Sequence, residues 1–177
     1  MVILISGASH TGKTALANKL MEKLHFPYLS IDHLKMGLIR SGYTKLTVSD
    51  DEKLTGYLWP VVRESIKTII ENEQDLIIEG CYIPFDWAGD FEEKYLRHIR
   101  YISIVMSELY IRKHFKDILL HSNDIERRIC DKCSMDHLIR DNLFYLDGCR
   151  EQRLPYIYIE DNYENELKKG IKALLDV

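Results

Sequence analysis

Five short runs that are apolar at their centres recur along the chain: Val2–Ser6, Phe26–Ile31, Asp75–Glu79, Arg100–Met106 and Tyr156–Ile159. Each is closed by a glycine or a polar residue and shows no steady alternation with polar residues, which predicts strands buried on both faces. Between them lie amphipathic stretches at helical spacing. These predict helices over about Lys13–Leu24, around Leu34, Leu38 and Ile39 up to Ser41-Gly42, and from the Ser and Asp caps in Val48–Asp51 to about Asn72. Further helices are expected over about Asp86–His98, Ser107–Leu120, Met135–Arg153 and Glu164–Leu175, with His121–Asp136 polar and aperiodic. Pro60 falls inside the long helix and is expected to kink or split it. Strands alternating with helices, without repeats or a Pro/Gly/Ser-rich linker, predict one α/β domain over residues 1–177 with a parallel sheet covered on both faces.

The first strand runs into Gly7-Ala8-Ser9-His10-Thr11-Gly12-Lys13-Thr14, a full match to G-x-x-x-x-G-K-[ST]. Glycines let the backbone wrap tightly around phosphate oxygens and turn its N–H groups inward. The helix that opens at Lys13 points its positive end at the same anion. The expected nucleotide contacts are Gly7, Ser9, His10, Thr11, Gly12, Lys13, Thr14 and Ala15. Lys13 reaches the β- and γ-phosphates in this scheme, and the Thr14 hydroxyl ligates Mg²⁺. The motif sits between a strand and a helix, as its mechanism requires.

In an open parallel sheet, ligands bind beyond the carboxyl ends of the strands. Asp32 follows the second strand and Glu79 ends the third after Leu76-Ile77-Ile78, the pattern of an acid that holds a magnesium-bound water. Asp32 is placed either to orient or deprotonate an acceptor hydroxyl or to cap the helix from His33. Tyr82, Phe85 and Trp87 are candidates both for an acceptor pocket and for the core.

With the phosphate loop and the two acids in place, the chain resembles the nucleoside-monophosphate-kinase-like group of P-loop kinases, which includes shikimate, gluconate and 2-phosphoglycerate kinases. The resemblance implies strand order 2-3-1-4-5, ATP with Mg²⁺ as donor, and a mobile helical lid, here about 121–136. It implies lid arginines at Arg127 and Arg128 that neutralise the transferring phosphoryl group, and Arg112 against the adenine or the lid. Asn162-Tyr163 falls where the group covers the adenine, and Arg150 and Arg153 before the fifth strand are further candidates to reach inward. The segment after strand three reads Glu79-Gly80-Cys81-Tyr82-Ile83-Pro84 and lacks the signatures of adenylate, thymidylate and shikimate kinases. The acceptor is therefore expected to be none of their substrates.

Composition narrows the classes. The net charge of −4 argues against a surface evolved to neutralise nucleic acid. No run is long enough to span a bilayer and no leader is read, so a reducing cytoplasm is expected. Four cysteines do not make a disulfide scaffold in a chain of 177 residues. Cys130 and Cys133, with His137 and Cys149 beyond, raise a zinc site, but their spacing favours plain reduced thiols. Asp86-Trp87-Ala88-Gly89 matches D-x-x-G, yet no Asn-Lys-x-Asp guanine reader occurs, which disfavours a GTPase switch. The expectation is an ATP-dependent kinase, monomer or homodimer, that phosphorylates a hydroxyl or phosphate of a small molecule. A regulatory nucleotide-binding module and a kinase of nucleic-acid ends are the alternatives.

Overall fold

The computed structural model describes residues 1–121 and 133–176. Its elements are β1 (Val2–Gly7), α1 (Lys13–Leu24), β2 (Tyr28–Ser30), α2 (Ile31–Arg40), α3 (Asp51–Glu71) and β3 (Leu76–Glu79). A 3₁₀ turn (Trp87–Asp90) and α4 (Glu93–Leu96) lead to β4 (Ile99–Met106), α5 (Glu108–His121), α6 (Met135–Glu151), β5 (Tyr156–Ile159) and α7 (Tyr163–Leu175). The five strands form one parallel sheet in the order β2-β3-β1-β4-β5. Both the expected fold class and the expected strand order hold.

The central strand explains why the sheet is covered on both sides. Side chains alternate across a strand, and every residue of β1 is buried. Ile3 and Ile5 pack with Leu16, Ala17 and Leu20 of α1 and with Leu167 of α7. Val2 and Leu4 face the other way, onto Leu54, Leu58, Val62 and Ile66 of α3. The α3 residues recur every fourth position, so one stripe of that helix lies on the sheet. Fully burying each such aliphatic side chain contributes about 1.5–3 kcal/mol.

Register then fixes the site. Ile5 of β1 lies opposite Glu79 of β3, and Ser30 of β2 lies opposite the same Glu79. The exits of these three strands, and with them the phosphate loop, Asp32 and Glu79, therefore share one crest of the sheet.

Three boundaries differ from expectation. Helix α2 begins at Ile31, with Ser30 in extended backbone (φ −86°, ψ 125°) as the residue before it. Asp32 thus lies in the first helical turn and is not the cap. Helix α3 runs through Pro60 without splitting. Leu58, Trp59 and Val62 anchor the helix to the core on both sides of the proline, while Pro60 and Gly56 are exposed, so water reaches the carbonyl that Pro60 cannot serve. The stretch Asp86–His98 is two short turns, because Phe91 is extended (φ −122°, ψ 138°). Its ring is held edge-on at 6.1 Å from both Trp59 and Trp87, and that aromatic packing overrides helical continuity. Among the described residues no helix is long and apolar enough to cross a membrane.

Candidate active site

The phosphate loop takes its shape from two glycines in left-handed backbone, Gly7 at φ 139° and Gly12 at φ 86°. A β-carbon on Gly7 would lie 2.5 Å from the Ile104 carbonyl, and one on Gly12 would lie 1.7 Å from Tyr163 Oη. His10 also adopts positive φ, 64°, without being glycine, a local strain of the sort that accumulates at functional sites. Thr11 braces the turn, its buried hydroxyl donating to the Ala8 carbonyl at 2.8 Å. Helix α1 starts at Lys13 with no side-chain cap and no acid in its first turn, so its positive end is left for an external anion.

Lys13 is buried and donates from Nζ to the Ala8 carbonyl at 2.8 Å. Burial opposes its charge, but Cys81, Glu79 and Asp32 nearby outweigh that opposition and hold the ammonium above the usual lysine range. The electrostatic partners show that the crest brings Lys13, Asp32 and Glu79 together. Glu79 is 2% exposed at the end of β3, and Thr14 follows Lys13 in α1. A hydroxyl and a carboxylate are hard oxygen donors of the type that Mg²⁺ selects, and that ion keeps most of its shell for water and phosphate. The donor set fits. Among the described residues no three His, Cys, Asp or Glu side chains converge into a metal cage.

Beside the phosphate loop lies a second polar cluster. Lys35, one turn beyond Asp32, donates to Asp32 Oδ1 and, at 3.0 Å, to Tyr82 Oη. Tyr82 Oη donates in turn to Asp51 Oδ1 at 2.8 Å. Burial, and then the Asp51 hydrogen bond, push the Tyr82 phenol far above its ordinary range, so it acts as a neutral donor. Cys81 joins the two clusters. Its thiol is 3.9 Å from Ser9 Oγ, and its carbonyl accepts from Tyr145 Oη at 2.7 Å. Lys35, Asp51, Cys81 and Tyr145 were not among the sequence candidates. The i, i+3 spacing of Asp32 and Lys35 is the one local signal that pointed to any of them.

The other candidates fall in different places. Of the three aromatics after β3, Tyr82 sends its hydroxyl to the polar cluster, Phe85 packs against Phe144 and Tyr145 of α6, and Trp87 stacks on Tyr101 in the core. Arg112 on α5 pairs with Glu108 at 2.8 Å and approaches Met135 Sδ at 3.8 Å. Arg150 and Arg153 are exposed and precede β5. The start of a parallel strand lies at the end of the sheet opposite the ligand crest, so neither reaches inward, contrary to expectation. Asn162 caps α7 by accepting from the Asn165 amide at 2.9 Å. Tyr163 Oη donates to the Thr11 carbonyl at 3.2 Å and so pins the phosphate loop. Arg127, Arg128 and Cys130, with most of the expected lid, lie outside the described residues.

No protein-family model matches the sequence, and no curated protein does. Solved structures do match in fold. A gluconokinase from Sinorhizobium meliloti is similar over 99% of this chain and 91% of its own, at TM-score 0.61 and 14% identity. A sugar kinase from Janibacter is similar over 99% and 94%, at TM-score 0.58 and 14% identity. A shikimate kinase from Bacteroides thetaiotaomicron is similar over 100% and 99%, at TM-score 0.53 and 15% identity. With its five-stranded parallel sheet in the order β2-β3-β1-β4-β5 and these likenesses over nearly its whole length, the chain has the fold of the P-loop small-molecule kinases.

Proposed function

We propose that the protein is a kinase that transfers the γ-phosphate of ATP to a small molecule, acting as one domain over residues 1–177 with a lid at about 121–136. The observation that carries this reading is the strand register that puts Asp32 and Glu79 on the same crest as Lys13, at the open end of an uncapped helix. A loop alone serves many nucleotide-binding proteins. An acid on the acceptor side of the loop, and a second acid on the metal side, are what phosphoryl transfer adds.

The loop N–H groups from Gly7 to Ala15 and the Lys13 ammonium hold the phosphates, Lys13 exchanging the Ala8 carbonyl for phosphate oxygen. Thr14 and Glu79 would hold Mg²⁺, which supplies charge neutralisation on the phosphates when bound. Asp32, held at Oδ1 by Lys35, orients the acceptor hydroxyl and takes its proton. Tyr163 holds the loop from behind and Arg112 lies toward the base. Arg127 and Arg128 are assigned to the lid, where cations neutralise the equatorial oxygens and closure excludes water. The likeness in fold to a gluconokinase, a sugar kinase and a shikimate kinase supports a small-molecule acceptor. A reducing cytoplasm suits an enzyme whose Cys81, Cys133 and Cys149 are not in disulfides.

The test is ATP turnover with Mg²⁺ over a panel of nucleosides, nucleotides, sugars, sugar acids and hydroxy acids. Turnover is expected to rise with at least one acceptor in the parent protein. The reading is lost if no acceptor raises it.

A further inference from the structure

We propose that a buried water site lies under the phosphate loop, between α6 and the strands β1 and β4, where Ser6, Tyr101 and Ser103 together hold at least one water molecule. The site is on the sheet face opposite α1, and the proposal does not rest on the kinase reading.

The strand pattern puts the three hydroxyls in one place. Ser6 of β1 and Ser103 of β4 are register partners, and Leu4 and Tyr101 are partners two residues earlier on the same face. Up to that level the face is apolar, with Val2 and Leu4 on β1 and Ile99 and the Tyr101 ring on β4. That ring stacks on Trp87, 17° from parallel with centres 5.7 Å apart. Helix α6 closes the site. It leads through residues 152–155 into β5, which is parallel to β4, so α6 runs against the strands. Tyr145 of α6 packs on Ala8 and Val105. Four residues further along the helix, Cys149 is therefore carried about 6 Å back along the strands, to the level of Ser103. Ser6, Ser103 and Cys149 are fully buried, and Tyr101 is nearly so.

Among the described residues, the side-chain oxygens of Ser6, Tyr101 and Ser103 have no hydrogen-bond partner. Leaving three hydroxyls unpaired away from solvent is costly, and native interiors meet such groups with ordered water, which typically makes about three hydrogen bonds. Each hydroxyl here offers a donor and acceptor lone pairs. Burial pushes the Tyr101 phenol and the Cys149 thiol up, so both stay protonated and neutral. Neutral groups of this kind suit water and not an ion. Serine and cysteine carry a single heavy atom beyond the β-carbon, fewer than the Leu4 and Val105 that flank them on the face, and that shortfall in volume is the room the water takes. The water joins the root of the phosphate loop to α6. Ser6 precedes Gly7, where the loop turns into positive φ, and Tyr145, one turn from Cys149, donates to the Cys81 carbonyl at 2.7 Å.

The test is a crystal structure of the full chain at about 1.5 Å, with thermal unfolding of Tyr101→Phe beside the parent. An ordered water is expected at about 2.7–3.2 Å from at least two of the three oxygens. Tyr101→Phe should melt about 1–5 °C lower, because the water loses a partner. The inference is overturned by a dry site, or by hydroxyls that bond one another or the backbone with no water between them. It is equally overturned if Tyr101→Phe melts no lower than the parent, since removing a hydroxyl from a dry site relieves an unpaired group.

Discussion

Gly12 is the position where backbone, side-chain contact and function meet in one substitution. Gly12→Ala asks an L-residue to hold φ 86° and places its β-carbon 1.7 Å from Tyr163 Oη. The left-handed backbone alone costs about 1–2 kcal/mol. The tyrosine must also move, losing its 3.2 Å hydrogen bond to the Thr11 carbonyl, a bond of about 0.5–1.5 kcal/mol. Together these predict a loss of about 1.5–3.5 kcal/mol, a large share of the roughly 5–15 kcal/mol that holds a domain folded. Urea unfolding followed through the buried Trp59 and Trp87 reads the loss as a midpoint about 1–2 M lower, for a slope of about 2 kcal/mol/M. The contact is isolated by repeating the substitution in a Tyr163→Ala background, where only the backbone cost of about 1–2 kcal/mol remains. ATP binding is expected to weaken in both backgrounds, because the loop backbone itself is distorted. An equal stability cost with and without Tyr163 would refute the claim that Tyr163 fixes the loop from behind.

Asp32→Asn should lower kcat by about 10²–10⁴ while leaving the KM for ATP nearly unchanged; a parental kcat removes Asp32 from acceptor activation. Leu4→Ala, at a fully buried position of the central strand, should cost about 2–5 kcal/mol by thermal or urea unfolding. Leu109→Ala, at a site 69% exposed, should stay within about 0.5 kcal/mol. The raised Lys13 pKa sets a sign for alkaline behaviour. A lysine whose folded value exceeds its unfolded one stabilises fully below the unfolded value, and loses that contribution as pH rises through the folded one. Lys13 should therefore contribute no loss of stability or ATP affinity below the ordinary lysine range. Calorimetry in the parent and in Lys13→Met checks this, and a Lys13-dependent fall near neutral pH would contradict it.

The sequence made the local features legible and the convergent ones illegible. The phosphate loop declares itself because eight consecutive residues carry both its chemistry and its turn, and the strands declare themselves because each is one apolar run. The place of Asp32 and Glu79 on the crest is legible because a parallel sheet brings every strand exit to one end. The same rule, applied to the wrong end of β5, should have excluded Arg150 and Arg153. The break at Phe91 was hidden because its cause is a set of rings from three segments, Trp59, Trp87 and Tyr95. The second polar cluster is hidden for a like reason: Lys35 meets Tyr82 across 47 positions, and Tyr82 meets Asp51 across 31. Tyr163 escaped as a brace of the loop because its hydroxyl travels 152 positions to reach the Thr11 carbonyl. Spacing rules see only neighbours along one element, and these contacts exist only once three helices have packed against the crest.

The central claim is that the γ-phosphate leaves ATP for an organic acceptor. Its most direct test is to follow γ-labelled ATP in the presence of Mg²⁺ and the acceptor panel, with the parent protein and with Lys13→Ala side by side. The account predicts label on an organic product, formed only when acceptor is present, and a loss of at least about a hundredfold without the lysine. Label that appears only as inorganic phosphate, at the same rate with and without acceptor, would contradict it, as would a Lys13→Ala protein that transfers label at the parental rate.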